Sequence, residues 1–422
     1  MTSTDIHRSI DALWRIESPR LIAGLARMVR DVGVAEELAH DALVTALEQW
    51  PVTGVPDQPG AWLMTTAKRR AIDMLRRKAL HARKEHEFAR EIEEQMEMSG
   101  TSPEAAADDP IGDDLLRLIF VACHPVLSTE ARVALTLRLL GGLTTEEIAR
   151  AYLTPEPTIA QRIVRAKRTL SEKDIPFEVP RGTELNERLD SVLEAIYLIF
   201  NEGYTATAGD DLMRPALCED AMRLGRMLAQ LMPREPEVHS LVALMELQAS
   251  RTHARVKPSG EPVLLMDQDR SRWDQLLIRR GLASLEHAGK LGGDIGSYAL
   301  QAAIAACHAR ATGAEDTDWR RIALLYGLLG RVSPSPVIEL NRAVAMGMAF
   351  GPATGLALVD KLVDEPALRK YHLLPAVRGD LLEKLGRHGE AREEFVRAAD
   401  MTANARERQL LLERAKRCLP SM

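Results

Sequence analysis

The chain is poor in aromatic residues. Phe, Trp and Tyr together make up 4% of its 422 residues. β-rich folds lean on aromatic and β-branched side chains, so this scarcity, beside abundant Ala, Leu, Arg and Glu, argues for helices. Cysteine is scarce as well. Cys123, Cys218, Cys307 and Cys418 stand far apart with no C-x-x-C pair, which argues against a disulfide framework or a structural zinc site. No run of about 18 apolar residues occurs. The opening MTSTDIHRSI has no basic segment followed by an apolar core, so no secretory signal is read there. These absences lead us to expect a soluble cytoplasmic protein with no membrane partner. Surplus charge is missing too. A formal net charge of -6 gives no global attraction to nucleic acid, and any DNA binding must come from local basic patches. The signatures G-x-x-x-x-G-K-[ST], H-E-x-x-H and G-x-S-x-G are absent, so we expect neither an enzyme nor a cofactor. Asp267 and Asp269 are too few oxygens for a calcium loop, and nothing near Cys123–His124 completes a metal or nucleophile site.

What is present is helical pattern cut by two composition changes. Apolar residues make up 46% of the chain, enough for real cores. Between Lys68 and Arg90 there are nine basic and three acidic residues, whereas from Glu91 to Asp114 there are nine acidic and none basic. That sign change marks a linker. A second boundary falls at SEKDIPFEVPRGTELNER, where Pro176 and Pro180 interrupt helical pattern. The expected organisation is residues 1–90, an acidic linker 91–114, a second module 115–175, and a long helical region 185–422.

In the first module, Leu38, Ala42, Ala46, Leu47 and Trp50 repeat at three- and four-residue spacing, with Glu37, Asp41 and Glu48 off the stripe. A second helix starts near Pro59. Its inner stripe is Leu63, Ala67, Ala71, Met74 and Leu75, and Lys68, Arg69, Arg76 and Arg77 populate the outer face. In the second module a helix runs to Ala122. The next is capped by Ser128 or Thr129 and stopped by Gly141–Gly142. Then comes LTTEEIARAYLTPEPTIAQRIVRAKRTL, two short amphipathic helices. Thr144 or Thr145 caps the first, with Glu147 placed for a capping box. Thr154 is expected to cap the second, with Pro155 at its first position. Ile159, Ile163, Ala166 and Leu170 face inward, Gln161, Arg162, Arg165, Lys167 and Arg168 mostly outward, and no acid lies between Thr158 and Leu170. Arg and Gln can pair with guanine and adenine edges, but taken alone the stretch reads equally as a solvated helical hairpin.

A basic helix, an acidic linker and a basic hairpin in this order resemble the extracytoplasmic-function group of the sigma-70 family, bacterial initiation factors, over about Ile10 to Leu170. AEELAHDALVTALEQW is similar to the region 2 helix that docks on the polymerase clamp, and AWLMTTAKRRAIDMLRR to the helix that meets the -10 element. GLTTEEIARAYLTPEPTIAQRIVRAKRTL looks like region 4, which reads the -35 element. The resemblance implies core RNA polymerase (β' clamp and β flap) and promoter DNA as partners. It implies Glu37, His40 and Asp41 at the clamp, and Lys68, Arg69, Arg70, Arg76 and Arg77 at -10 DNA. Thr158, Gln161, Arg162 and Arg165 would enter the -35 major groove, with Lys167 and Arg168 on phosphates. Trp62 has two readings, a stacker for an unpaired base or a core residue at a helix start. The linker would lie in the polymerase RNA path or serve as a plain tether. The chain departs from the family at Arg69, where Asn is usual, at Leu153 and Pro157, where Gly is common, and at Ala160–Gln161, where Lys-Ser is common.

The last 250 or so residues resemble the subgroup with a tetratricopeptide-like extension. Gly379, Leu382, Gly386, Ala391, Phe395 and Ala398 have small–bulky–small spacing, echoed by Ala343, Met346, Gly355, Val359 and Leu362. Further helix pairs are expected at 191–201 with 217–231, 236–250 with 272–287, and 297–312 with 317–329. The expected fold is all-α, two sigma modules and a helical-hairpin array. Its densest polar stretch, LLMDQDRSRWDQLLIRRGL, offers Asp267, Asp269, Arg270, Arg272 and Trp273 as contacts for a regulatory protein or peptide partner, or, more blandly, as a capped loop with a packed Trp. Asn201–Tyr204 reads as a groove lining or a turn. The main reading is thus a sigma factor regulated by its extension. The alternatives are a helix-turn-helix activator with a helical sensor, and a protein-binding scaffold.

Overall fold

The structure, a computed structural model, describes residues 3–81 and 110–419 apart from positions 153, 207 and 258. The acidic stretch 91–109 and Leu153 lie outside the described residues. Eighteen α-helices, five short 3-10 turns and one two-residue strand pair make up the regular structure described. The chain divides into two compact units, Met1–Ala195 and Ile196–Met422, each taken by itself below.

The first unit opens with α1 (Ser3–Val29), α2 (Val32–Thr53) and α3 (Pro59–His81). The Asp31 carboxylate accepts from the Val34 amide (2.9 Å), which caps α2, and Gly54 at φ +86° ends it. Leu38, Ala42, Ala46 and Trp50 of α2 and Leu63, Ala67 and Ala71 of α3 are buried, as their spacing requires. The small residues among them let the three helices pack closely. Helices α4 (Pro110–Ala122), α5 (Thr129–Leu139), α6 (Thr145–Ala151) and α7 (Glu156–Glu172) follow. Ser128 caps α5, and Gly142 takes φ +69° beyond its end. Thr144 and Glu147 form the reciprocal capping box: the Glu147 amide donates to Thr144 Oγ1 (3.1 Å), and the Thr144 amide donates to Glu147 Oε2 (2.8 Å).

The start of α7 differs from expectation. Pro155 itself holds the cap position and α7 begins at Glu156, while the Thr154 hydroxyl turns back to the Tyr152 carbonyl (3.1 Å). Helix α8 (Thr183–Tyr204) begins within this unit. Arg188 donates to the Phe120 carbonyl (3.0 Å), and the Ser191 hydroxyl to the Cys123 carbonyl (2.7 Å). Both satisfy carbonyls near the end of α4 that have no partner within their own helix. Cys123 is sealed beneath them, sharing a hydrogen bond with Thr136 (3.2 Å). Burial pushes its thiol up to about 11, as befits a packing residue.

The second unit is helix upon helix: α9 (Pro215–Leu231), α10 (Pro236–Ala249), α11 (Gln275–Leu291), α12 (Ser297–Arg310), α13 (Trp319–Val332), α14 (Pro336–Phe350), α15 (Pro352–Val359), α16 (Leu373–Lys384), α17 (His388–Met401) and α18 (Ala405–Arg417). The pairs α10–α11, α13–α14, α14–α15 and α16–α17 lie directly side by side, and α12 packs on both α10 and α13. Glycine sets the closest approaches. A side chain at Gly379 would meet the Phe395 ring at 2.8 Å, and one at Gly355 would meet Gly347 Cα at 2.9 Å. Tyr204, at the end of α8, stacks on Phe200 and holds Arg251 and Arg255, so Asn201–Tyr204 is helix rather than a free turn.

The unit is tied back on itself by a parallel pair, β1 (Ala208–Gly209) with β2 (Ala403–Asn404). Asn404 is fully buried and uses all four of its hydrogen-bonding capacities. Its amide donates to the carbonyls of Ala206 (3.1 Å) and Asp211 (2.9 Å), and its oxygen caps α18 by accepting from Arg406 and Glu407.

Candidate nucleic-acid interface

Helix α7 presents a divided surface. Ile159, Ile163, Ala166 and Leu170 are buried against the unit. Thr158, Gln161 and Arg165 are exposed and Arg162 is half-buried. They line an open groove of about 390 Å³ with Val126, Ser128 and Ala131 at the start of α5. A helix standing proud of its partner with Gln and Arg along one edge can enter a major groove and reach base edges. Arg168 pairs with Glu172 one turn on (2.6 Å) in the open. Such exposed pairs are weak, so Arg168 is available to a phosphate.

Helix α3 carries the second basic face. Arg69, Arg76 and Arg77 are exposed and Lys68 is half-buried. Arg70 is already engaged: it pairs with Asp41 of α2 (3.0 Å) and donates to the Thr45 hydroxyl (2.9 Å). Trp62 sits half-buried, edge-on to the buried Trp50 with ring centroids 5.3 Å apart, which is the placement of a core residue at a helix start.

The face of α2 expected at the polymerase clamp is partly covered. Glu37 and Asp41 are exposed. One turn inward, Glu36 is buried and gripped by two cations from the second half of the unit: Arg138 of α5 (2.5 Å) and Lys167 of α7. Burial alone would raise the Glu36 carboxyl. The Lys167 and Arg138 charges outweigh that and hold it below its ordinary value. Arg138 also reaches His40 Nε2 (3.2 Å) and the Leu143 carbonyl (3.1 Å). Burial first, and the Arg138 charge second, depress His40, which favours its neutral form, and its ring lies edge-on to Trp14. Ser171 at the end of α7 donates to Asp31, the cap of α2 (2.9 Å). Lys167, expected on phosphates, is thus turned inward here. The sequence gives no local sign of the α2–α7 contact, because Glu36, Arg138 and Lys167 belong to separate helices and no local spacing links them.

The polar stretch in the second unit proves to be mostly internal architecture. Trp273 is 3% exposed and so offers no surface to a partner. Arg270 donates to the carbonyls of His308 (2.5 Å) and Ala311 (2.9 Å) at the end of α12, and to Thr317. Its guanidinium stacks 4.8 Å from the Trp273 ring. Asp269 caps the short turn at Ser271, and Asp274 caps α11. The expectation that Trp273 and Arg270 are contact residues is therefore corrected. Their polar neighbours are dense because helix ends need partners. Asp267 and Arg272 remain exposed.

Comparison with known proteins gives the family of this first unit. Residues 13–80 match the model of Sigma-70 region 2, and residues 117–170 match Sigma-70, region 4. The ECF RNA polymerase sigma factor SigK of Mycobacterium ulcerans is 30% identical, over 36% of this chain and 78% of its own length. The chain belongs to the ECF sigma factors of the sigma-70 family. A probable ECF RNA polymerase sigma factor, SigI of Mycobacterium tuberculosis, is 28% identical over 41% of this chain and 58% of its own. Along nearly the whole length, an uncharacterized protein of Rhizobium meliloti is 42% identical, covering 92% of this chain and 91% of its own. In this sigma factor region 2 is α1–α3 and region 4 is α4–α7. It is an initiation factor for core RNA polymerase and promoter DNA, and not itself an enzyme. Residues 188–289 match a family of unknown function, DUF6596. No helix among the described residues is long and apolar enough to cross a membrane.

Proposed function

We propose that this sigma factor reads its promoter with two heads that are folded against each other in the free protein and part on the polymerase. The N-terminal half of α7, with Thr158, Gln161, Arg162 and Arg165, takes the -35 element in the major groove, with Arg168 on a phosphate. The α3 face, with Lys68, Arg69, Arg76 and Arg77, takes the -10 element, and Arg70 joins it on release from Asp41. Glu37, His40 and Asp41 of α2 meet the β' clamp, and region 4 meets the β flap.

The observation that carries this reading is the buried Glu36 between Arg138 and Lys167. The centres of the -35 and -10 elements lie about 25 base pairs apart, about 85 Å along B-DNA at ~3.4 Å per step. With α7 pinned to α2, which is only about 33 Å long at ~1.5 Å per residue, the two heads cannot span that distance. The packed form must open before both elements are read. Opening would free Lys167 for a DNA phosphate and uncover the first turns of α2 for the clamp. The role of the second unit, a tetratricopeptide-like array in this reading, is to set how readily opening occurs.

The test is run-off transcription with purified core polymerase on a promoter library. Full-length protein should give discrete start sites. Glu36→Gln, which leaves two cations without their acid, should raise initiation at limiting protein and expand the chain in small-angle scattering. Scattering identical to wild type would sink the closed form, and absence of specific starts would sink the two-headed reading. A chain cut after Ala195 reports on the second unit. This cut keeps Arg188 and Ser191 on the end of α4.

A further inference from the structure

Several arginines of the second unit are paired with acids. Arg226 meets Glu246 (2.8 Å), Arg342 meets Glu339 (2.7 Å), Arg378 meets Asp360 and Glu394 (2.8 Å each), and Arg387 meets Glu390 (2.5 Å). Three that share one groove are not. Arg279 of α11, Arg310 of α12 and Arg321 of α13 are exposed, and their side chains have neither a hydrogen bond nor an ion pair among the described residues. The groove they line has a volume of about 710 Å³. Its floor is apolar, formed by Leu282, Leu285 and Ala303. Two apolar side chains extend it along the same helices: Leu276, 54% exposed and one turn before Arg279, and Leu324, 63% exposed and one turn after Arg321. A volume of this size holds several side chains, well beyond a single ion.

We propose that this groove binds an acidic amphipathic peptide segment of a partner protein, whose Asp or Glu side chains pair with Arg279, Arg310 and Arg321 while its apolar side chains cover the Leu282–Leu285 floor. The chemistry selects the occupant in two steps. Three exposed guanidinium groups that converge on one groove without an acid partner are ready for carboxylates, which they hold in two-point geometry. The apolar floor and the two flanking leucines then require a ligand with hydrophobic side chains between its acids. A nucleic acid fits less well. The groove lining has no aromatic side chain on which a base could stack. The lining also holds Glu286, which is paired with Lys290 (2.6 Å), so the three arginines are the groove's uncompensated charge.

The proposal goes beyond promoter recognition and is tested without polymerase. The full chain is panned against a random peptide library displayed on phage, and the selected peptides are measured by fluorescence anisotropy. The expected result is enrichment of peptides that combine Asp or Glu with Leu, Ile, Val or Phe. Their binding should weaken with salt, and weaken about tenfold or more in Arg310→Ala/Arg321→Ala. These side chains are exposed, so the variant should keep the wild-type circular dichroism. Charge reversal at Arg279→Glu should reject the same peptides and leave the fold unchanged. Selection of basic or uncharged peptides, equal binding to the variants, or no selected peptide would overturn the proposal. Displacement of the peptides by random-sequence duplex DNA through the same arginines would also overturn it, in favour of a nucleic-acid surface.

Discussion

His308 shows how far burial can move one group. It is buried edge-on to Trp319, with Arg251 and Arg270 nearby. Burial first, and those two charges second, push its pKa down to about 3. In the unfolded chain the same side chain takes up its proton near pH 6.5. Between those values the unfolded state binds more protons, so stability falls as pH drops through the interval. The contribution is fully present above about pH 6.5 and declines by up to ~1.4 kcal/mol per pH unit below it. Urea unfolding at a series of pH values should show this slope, and His308→Phe, which keeps a ring beside Trp319, should flatten it. Parallel slopes for the two proteins would refute the assignment. At this scale the sequence was legible where the partner is close by. The Thr144–Glu147 capping box could be read off a three-residue spacing. Arg270 could not be placed, because its partners, the carbonyls of His308 and Ala311, lie about forty positions on. Thr154 was misplaced for a local reason: Pro155 takes the cap position and sends the hydroxyl to Tyr152.

Among the elements, α7 has the most to do. One face carries Gln161, Arg162 and Arg165 into the open groove, while its last turns, through Lys167 and Ser171, are fastened to α2. Substitutions on the groove face and at the attachment to α2 should therefore differ in kind. Arg162→Ala and Arg165→Ala should weaken promoter binding by polymerase carrying this factor. For each side chain that meets a phosphate, the slope of log affinity against log salt should fall by about 0.9. For one that meets a base edge, the loss should be about 1–3 kcal/mol and confined to promoters with that base. Filter binding across salt concentrations and single-base promoter variants separates the two, and an unchanged slope together with unchanged preference would remove α7 from the interface. The helix itself was plain in the sequence, since Ile159, Ile163, Ala166 and Leu170 repeat on one face. Its second attachment was hidden because Lys167 looks, by spacing, like one more outward cation.

On the scale of the whole chain, the helical class followed from composition, and the order of region 2 and region 4 from the resemblance of their motifs. The direct packing of region 4 on region 2 did not, since it depends on Glu36 being buried from the far side. The second unit holds another long-range feature. Stacked helical pairs usually contact only their neighbours, and stability then adds along the stack. Here Asn404 joins the last helix to the loop after α8. Asn404→Ala would leave the buried Ala206 carbonyl and the half-buried Asp211 carbonyl without this partner and α18 uncapped, a loss of about 2–3 kcal/mol on ordinary values for such groups. We expect one cooperative unfolding transition of this unit at lower urea. A loss confined to α18, with the rest of the unit keeping its hydrogen-exchange protection, would show instead that the strap is peripheral.

The same strap has a consequence for biosynthesis. The carbonyls of Ala206 and Asp211 are made early, and their partner Asn404 follows 198 and 193 residues later. At roughly 5–20 residues per second on the ribosome, that is a wait of about 10–40 s. Regions 2 and 4 have left the exit tunnel by then and can fold. The growing second unit meanwhile displays an unclosed loop and unpaired carbonyls, which makes this interval its greatest exposure to chaperones and proteases.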